Sequence, residues 1–294
     1  MIRRLGPGPA LAAAALLILA LAAIAAPLVE LAMGLDAEAV DLFSRLQPPS
    51  AEHPLGTDEL GRDLLLRLLY GGRVSLTVGV VAALAASSIG TAVGLAAGYL
   101  GGRADALLMR LADGVIALPL LPLLIVLAAV DLTKLGLTPE AAGSQTVLLA
   151  RLVVLVALVG WPTTARLVRA TTLSLRQREF VAAARALGFS PLRVAVRHVL
   201  PNAAAPILVA TTLAVGNVVL FESVLSFLGL GIRPPTPSWG NMLTGAQELI
   251  WESPRLAVWP GMLIFATVVS VNLLGDALRD ALDPRSRRRS AGGD

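Results

Sequence analysis

The side chains able to do chemistry in this 294-residue chain are few, and their spacing excludes most of what they could do. The two histidines, His53 and His198, are separated by several long apolar runs that place them on opposite sides of a membrane, so they cannot share a metal ion or form a catalytic pair. Cys is absent, which removes thiolate ligation and disulfides. No G-x-x-x-x-G-K-[ST] loop occurs, and the single Lys, Lys134, follows no glycine-rich turn, so the usual phosphate cradle is missing. G-x-S-x-G and H-E-x-x-H are missing too, and LGLGIRPP (228–235), with no strand pattern before it, reads as a helix end and turn. We expect no catalytic residue, no metal site and no cofactor in this chain.

What remains is a handful of polar groups inside apolar runs: Asn217 and Glu222 in one, Asn272 and Asp276 in another, with Asp113 and Arg151 at run ends. An acid within a membrane is costly and is by default a functional candidate. Glu222, near the end of its run, has the alternative of reaching water or capping a neighbouring helix, and that structural role is the one we carry forward. A proton-coupled carrier would want acids near the middle of its spans, and none lies there.

The most chemically distinctive stretch is REFVAAARALGFSPLRVAVRHVLPN (178–202), too charged to cross a bilayer and too apolar for a solvated loop. Glu179 suits the positive end of a short helix. Phe180, Ala184 and Leu187 follow at i, i+4 and i+7 as one apolar stripe, and Gly188 can close the helix in a left-handed conformation. Ser190-Pro191 turns the chain into a second short helix that runs to Leu200-Pro201. A cationic amphipathic helix can rest on anionic lipid. The small side chains of Ala182, Ala183 and Ala184 instead suit a groove in another protein.

The elements that position these residues follow from composition. Hydrophobic residues make up 56% and charged residues 15%, well below the roughly 25% charge of a soluble domain. Mean hydropathy is +0.76. Six runs reach the roughly 20 residues that a bilayer core requires: 5–29, 74–102, 114–130, 141–165, 199–221 and 256–275. We expect an all-α integral membrane protein with six transmembrane helices. The first run, preceded by Arg3 and Arg4 and ending near AIAAP, has the outline of a secretory signal. Its uncharged length exceeds the usual signal core of about 7–15 residues, so it counts as a retained helix.

Most Lys and Arg fall in the alternate segments shared with the N-terminus, seven of them between Arg166 and Arg197, which makes both termini and the 178–202 stretch cytoplasmic. Trp239, Trp251 and Trp259 then form an aromatic belt at the outer end of the sixth span. Gly90, Gly94 and Gly98 make a smooth strip on the second span for close approach of another helix. The basic residues lie at the ends of apolar runs without an aromatic stacking platform, which points to lipid headgroups and protein partners and away from nucleic acid. The chain divides into a first transmembrane helix (1–33), an extracytoplasmic segment (34–72), a five-helix core (73–278) that includes the inner loop 167–201, and a basic tail (279–294). Within the second segment, Leu64, Leu65, Leu68 and Leu69 against Arg62 and Arg67 predict an amphipathic helix in the outer interface.

AAARALG (182–188), followed nine residues later by HVLP, resembles the EAA loop of ABC importer permeases. Ala182, Ala183 and Ala184 stand at the E-A-A positions, Gly188 at the glycine, and Leu200-Pro201 at the close; Ala182 replaces the motif's acid and His198 an aliphatic. HPLGTDELGRDLLLRLLYGGRVSLTVG (53–79), ESVLSFLGLGIRPPTPSWGNML (222–243) and NLLGDALRDALDPR (272–285) resemble the C-type permease subunit of the dipeptide, oligopeptide and nickel importers. The likeness runs colinearly over nearly the whole chain.

This resemblance implies a type I importer fold in a bacterial inner membrane. It implies a second, similar permease, two ABC ATPase subunits that bind ATP and Mg, and an extracytoplasmic solute-binding protein. It places Glu179, Phe180, Ala182, Ala183, Ala184, Leu187, Gly188, Leu200 and Pro201 at the contact with an ATPase. Asn217, Glu222 and the Gly90/Gly94/Gly98 strip are candidates for the pathway or for helix packing. Rival classes are an ATP-independent secondary carrier, which would need internal repeats or midplane charges, and a membrane anchor or sensor.

Overall fold

In the computed structural model, which describes residues 7–282, every long apolar run becomes a helix. The helices are α1 (Pro7–Ile24), α2 (Ala26–Met33), α3 (Leu64–Leu100), α4 (Gly102–Ala117), α5 (Leu120–Ala128), α6 (Pro139–Gly143), α7 (Gln145–Arg176), α8 (Glu179–Ala186), α9 (Pro191–Val194), α10 (Leu200–Phe227) and α11 (Arg255–Leu282). The only extended pairing among the described residues is an isolated bridge between Thr57 and Asp63. A helix satisfies its backbone polar groups internally, as a segment surrounded by lipid tails must. Five stretches are long and apolar enough to cross alone: Pro7–Ile24, Leu64–Leu100, Gln145–Arg176, Pro191–Phe227 and Arg255–Leu282. Of the basic tail, 279–282 form the last turn of α11, and the remainder lies outside the described residues.

The third crossing differs from the straight span expected over 114–130. It is a bent pair, α4 and α5 meeting at 86°. Pro119 is the cause: it lacks an N–H and forces Leu118 into an extended conformation (φ −84°, ψ 138°), which ends α4. At 1.5 Å per residue the 9 residues of α5 reach about 14 Å, under half the bilayer core. Its free carbonyl end is held by Arg151 of α7, which donates to the carbonyls of Leu127 (3.3 Å), Ala128 and Val130 (2.7 Å).

Two further boundaries move. The second inner helix is not separate, because α9 passes through a wider five-residue turn, Ala195–Val199, directly into α10. Nor does an amphipathic helix over Leu64–Leu69 lie in the outer interface. Those residues are the first turns of α3, with Leu64, Leu66, Leu68 and Arg67 all buried within the protein. Asp63 starts that helix by accepting the Leu66 N–H (2.8 Å), while its other oxygen meets His53 Nδ1 at 3.0 Å. Asp58 takes both Arg62 Nε (2.8 Å) and Arg67 Nε (3.3 Å). What looked like a charged face against apolar lipid is a charge cluster that neutralises itself in the protein interior.

α3 is the spine of the bundle, packed against α7, α10 and α1, with α11 between α10 and α1. Its glycine strip makes the closest approach. A Cβ on Gly90 would lie 2.5 Å from the Trp161 carbonyl, one on Gly94 2.8 Å from Val168 Cβ, and one on Gly98 2.7 Å from Thr172 Cβ. The strip is therefore a packing surface for α7. Val78, Ala82, Leu124, Leu152, Val156, Val218 and Leu225 form the main core, shared by α3, α5, α7 and α10.

Candidate functional site

The 178–202 stretch builds a compact cap at one end of the bundle from local rules. Glu179 stands in the first turn of α8, and Arg185 in its last. The helix closes on Gly188 at φ +78°, with the Gly188 N–H bonded to Arg185 O (2.9 Å) and the Phe189 N–H to Ala184 O (3.3 Å), the paired capping pattern that a left-handed residue permits. Ser190 then caps α9, its Oγ accepting the Arg193 N–H at 3.4 Å, and Pro191 occupies the first helical position. The turn read from Gly188-Phe189-Ser190-Pro191 is the one observed.

Which face points inward differs from expectation. Phe180, Ala184 and Leu187 do not share one surface: Ala184 is only 4% exposed and, with Val181, packs onto Val194, Ala195, Val199, Leu95 and Val168. The outward surface holds Phe180 (40% exposed), Ala182, Ala183 and Leu187 (75%), with Gly188 and Pro201 also exposed and Leu200 half-buried. Ala184 lies on the boundary between two apolar stripes of one short helix, and the covered stripe is selected by α9, the turn after it, α7 and α3. Leu192 (75%) extends the exposed apolar surface across α9. Because Ala182 is exposed, its lack of the motif's acid removes no contact within the chain.

The cap is tied to the spans. Arg176 donates to Gly98 O (3.4 Å) and Tyr99 O (3.0 Å) at the end of α3. Arg185 lies 5.1 Å over the Tyr99 ring and donates to its hydroxyl at 3.3 Å. Arg193 stacks 4.5 Å over Phe189, whose other neighbour is the His198 ring at 5.8 Å. Asp105 of α4 holds Arg169 of α7 through a two-oxygen pair, one bond at 2.6 Å. A push on α8 therefore reaches α3, α7 and α10 through named contacts.

The other polar candidates fall elsewhere. Glu222 neither reaches water nor caps a helix: it is 0% exposed at the end of α10. Its carboxylate accepts Ser75 Oγ (2.8 Å) and Ser226 Oγ (2.7 Å). Ser75 in turn accepts the Trp239 N–H (3.2 Å), and Ser226 the Ile232 N–H (3.0 Å). The buried acid thus pins the loop after α10 to α3. Trp239 belongs to that loop and not to an interfacial belt; it is 2% exposed, donates Nε1–H to Leu68 O (2.9 Å), and fits only because Gly71 and Gly72 leave room for its ring. Trp251 and Trp259 remain exposed. Asn217, four turns from the cap on α10, presents its side chain to the outside of the chain.

No signal in the sequence marked Ser75 or Ser226 as partners of Glu222, although SVLSF and RVS place small hydroxyl residues beside it in both segments. Among the described residues no group of three His, Asp or Glu could hold a metal ion.

Residues 90–288 match the family described as binding-protein-dependent transport system inner membrane component. A dipeptide transport system permease protein, DppC, of Alkalihalophilus pseudofirmus is 42% identical over 83% of this chain and 76% of its own length. The glutathione transport system permease protein GsiD of Pectobacterium atrosepticum is 41% identical over 86% and 80%, and the nickel transport system permease protein NikC of Escherichia coli strain K12 is 41% identical over 92% of each. The matched region contains the α3–α7 packing strip, the α8–α9 cap and Glu222, and the chain belongs to the binding-protein-dependent transport family as a multi-pass membrane permease component.

Proposed function

We propose that this chain is the permease subunit of an ATP-driven importer that moves small peptidic solutes inward across a bacterial inner membrane. It works with a second permease, two ATPases that bind ATP and Mg, and an extracytoplasmic solute-binding protein. Both termini and the α8–α9 cap lie on the cytoplasmic side, and the Glu222 loop lies outside. The observation that carries this reading is the exposed apolar surface of Phe180, Ala183, Leu187 and Leu192 on a segment too charged to enter lipid and itself anchored to three spans. An ATPase cleft covers that surface, and Glu179 and Ala182 border it. Asn217, exposed within the fifth span, faces the pathway shared with the second permease.

The dipeptide and glutathione relatives support a peptidic solute. Nickel or another solute carried by the same family is the second reading, supported by the nickel relative at the same identity.

The test is Ala183→Arg in the reconstituted complete transporter. Ala183 is exposed, so the chain folds, but a guanidinium on the docking surface abolishes solute-stimulated ATP hydrolysis and uptake. Normal uptake by this variant would overturn the assignment.

A further inference from the structure

A cavity of about 420 Å³ opens at the end of the bundle opposite the α8–α9 cap, between the loop after α5, the start of α7 and the loop after α10. Its floor is apolar, made by Ala128, Leu148 and Leu230, and its wall carries two cations, Arg151 and Arg233. Neither guanidinium has a carboxylate within ion-pair distance among the described residues, whereas Arg62, Arg67, Arg166 and Arg169 all do. The two line the same cavity.

Their remaining donors are free for a ligand. All three bonds from Arg151 to the end of α5 leave from one terminal nitrogen, and Arg233 uses only Nε, toward Gly229 O at 3.2 Å. The one acid in the lining, Asp131, is turned onto Thr133, whose N–H (2.9 Å) and hydroxyl (2.8 Å) hold its carboxyl below the usual range. Asp131 is thus engaged by Thr133 and makes no ion pair with either arginine. A concave site with an apolar floor and two unpaired guanidiniums is built for a small solute with an alkyl body and a carboxylate, the planar anion that a guanidinium binds through two parallel bonds. A bare divalent cation would be repelled from the same wall.

We propose that the Arg151/Arg233 cavity is an outer recognition site of the permease itself, taking the carboxylate end of the transported solute. The proposal rests on the importer reading and narrows it to carboxylate-bearing solutes such as peptides with a free C-terminus.

The test uses the purified complete membrane complex without the binding protein, so that the binding protein's own preference does not enter. Alanyl-alanine and alanyl-alaninamide are titrated against wild type and Arg233→Gln, with binding read by calorimetry and folding by melting temperature. Arg233 is exposed and makes one backbone bond, so its replacement leaves the fold intact. Wild type binds the acid about tenfold or more tighter than the amide, and Arg233→Gln loses that preference by weakening the acid alone. Equal binding of acid and amide, no binding of either, preference retained in Arg233→Gln, or displacement of alanyl-alanine by an equal concentration of inorganic phosphate overturns the proposal. Wild type that shows no preference for the acid, with ATP coupling intact, fails this site alone; preference for the acid with coupling unaffected by Ala183→Arg fails the inner-cap reading alone.

Discussion

Substitution of Gly94 by Ala tests the spine of the bundle with the smallest possible change. The added Cβ would lie 2.8 Å from Val168 Cβ and 3.0 Å from the Arg169 nitrogen, and it would come closer still to the Ala165 carbonyl. Carbon–carbon contacts are most favourable near 3.5–4.0 Å, so α3 and α7 must part by about 1 Å. Backbone atoms block the way, so no side-chain rotation can relieve the clash. Overpacking of this kind costs about 1–3 kcal/mol. Gly114 in α4 is the control: nothing lies within 4 Å of its Cβ position, and Ala there gains up to about 1 kcal/mol of helix propensity. At roughly 2–4 °C per kcal/mol, Gly94→Ala lowers the melting temperature of the purified protein by several degrees while Gly114→Ala holds or raises it. Val168 also lines the cluster beneath α8, so Gly94→Ala should weaken coupled transport as well. Equal stability of the two variants would refute the close-packing argument for the strip.

Three further outcomes follow from the same geometry. Ala184→Arg, in contrast to Ala183→Arg, forces an unpaired guanidinium into a buried cluster at a cost of about 3–5 kcal/mol and should give a poorly folded chain, checked by yield and melting temperature. Glu222→Ala strips the acceptor from Ser75 and Ser226, each loss costing about 1–3 kcal/mol, and should expose the 229–243 loop to protease while leaving the inner cap unaltered. Trp239→Ala vacates the pocket above Gly71 and Gly72 and should cost about 3–5 kcal/mol, read as a fall in melting temperature; a change under about 1 kcal/mol would mean that the loop is not packed there.

The spans and the inner turn were legible because their signals are local. Long apolar runs, the spacing of Gly90, Gly94 and Gly98, and the Gly188-to-Pro191 punctuation each need only a few neighbouring residues to be read. The misplacements share a different cause. Leu64 and Leu68 look amphipathic, and Trp239 interfacial, until the fold brings them together with Ala246, Leu256 and Ile264 from far along the chain. Ala184 belongs to two apolar stripes, and α9, α7 and α3 select between them. Glu222 finds its hydroxyl donor 147 residues away at Ser75, a distance across which no periodicity speaks. The bend at Pro119 was visible as a proline, but its consequence was outweighed by the apolar count of the run around it.

Because the chain has no Cys, Leu187→Cys introduces a single thiol on the exposed surface of the α8–α9 cap. Its modification by a water-soluble thiol reagent is measured in the isolated chain and in the assembled transporter. If α8 is where the ATPases engage, labelling is fast in the isolated chain, suppressed in the complex, and replaced by cross-linking to an ATPase subunit. Equal labelling in both, without a cross-link, would contradict the claim that ATP energy enters through this helix.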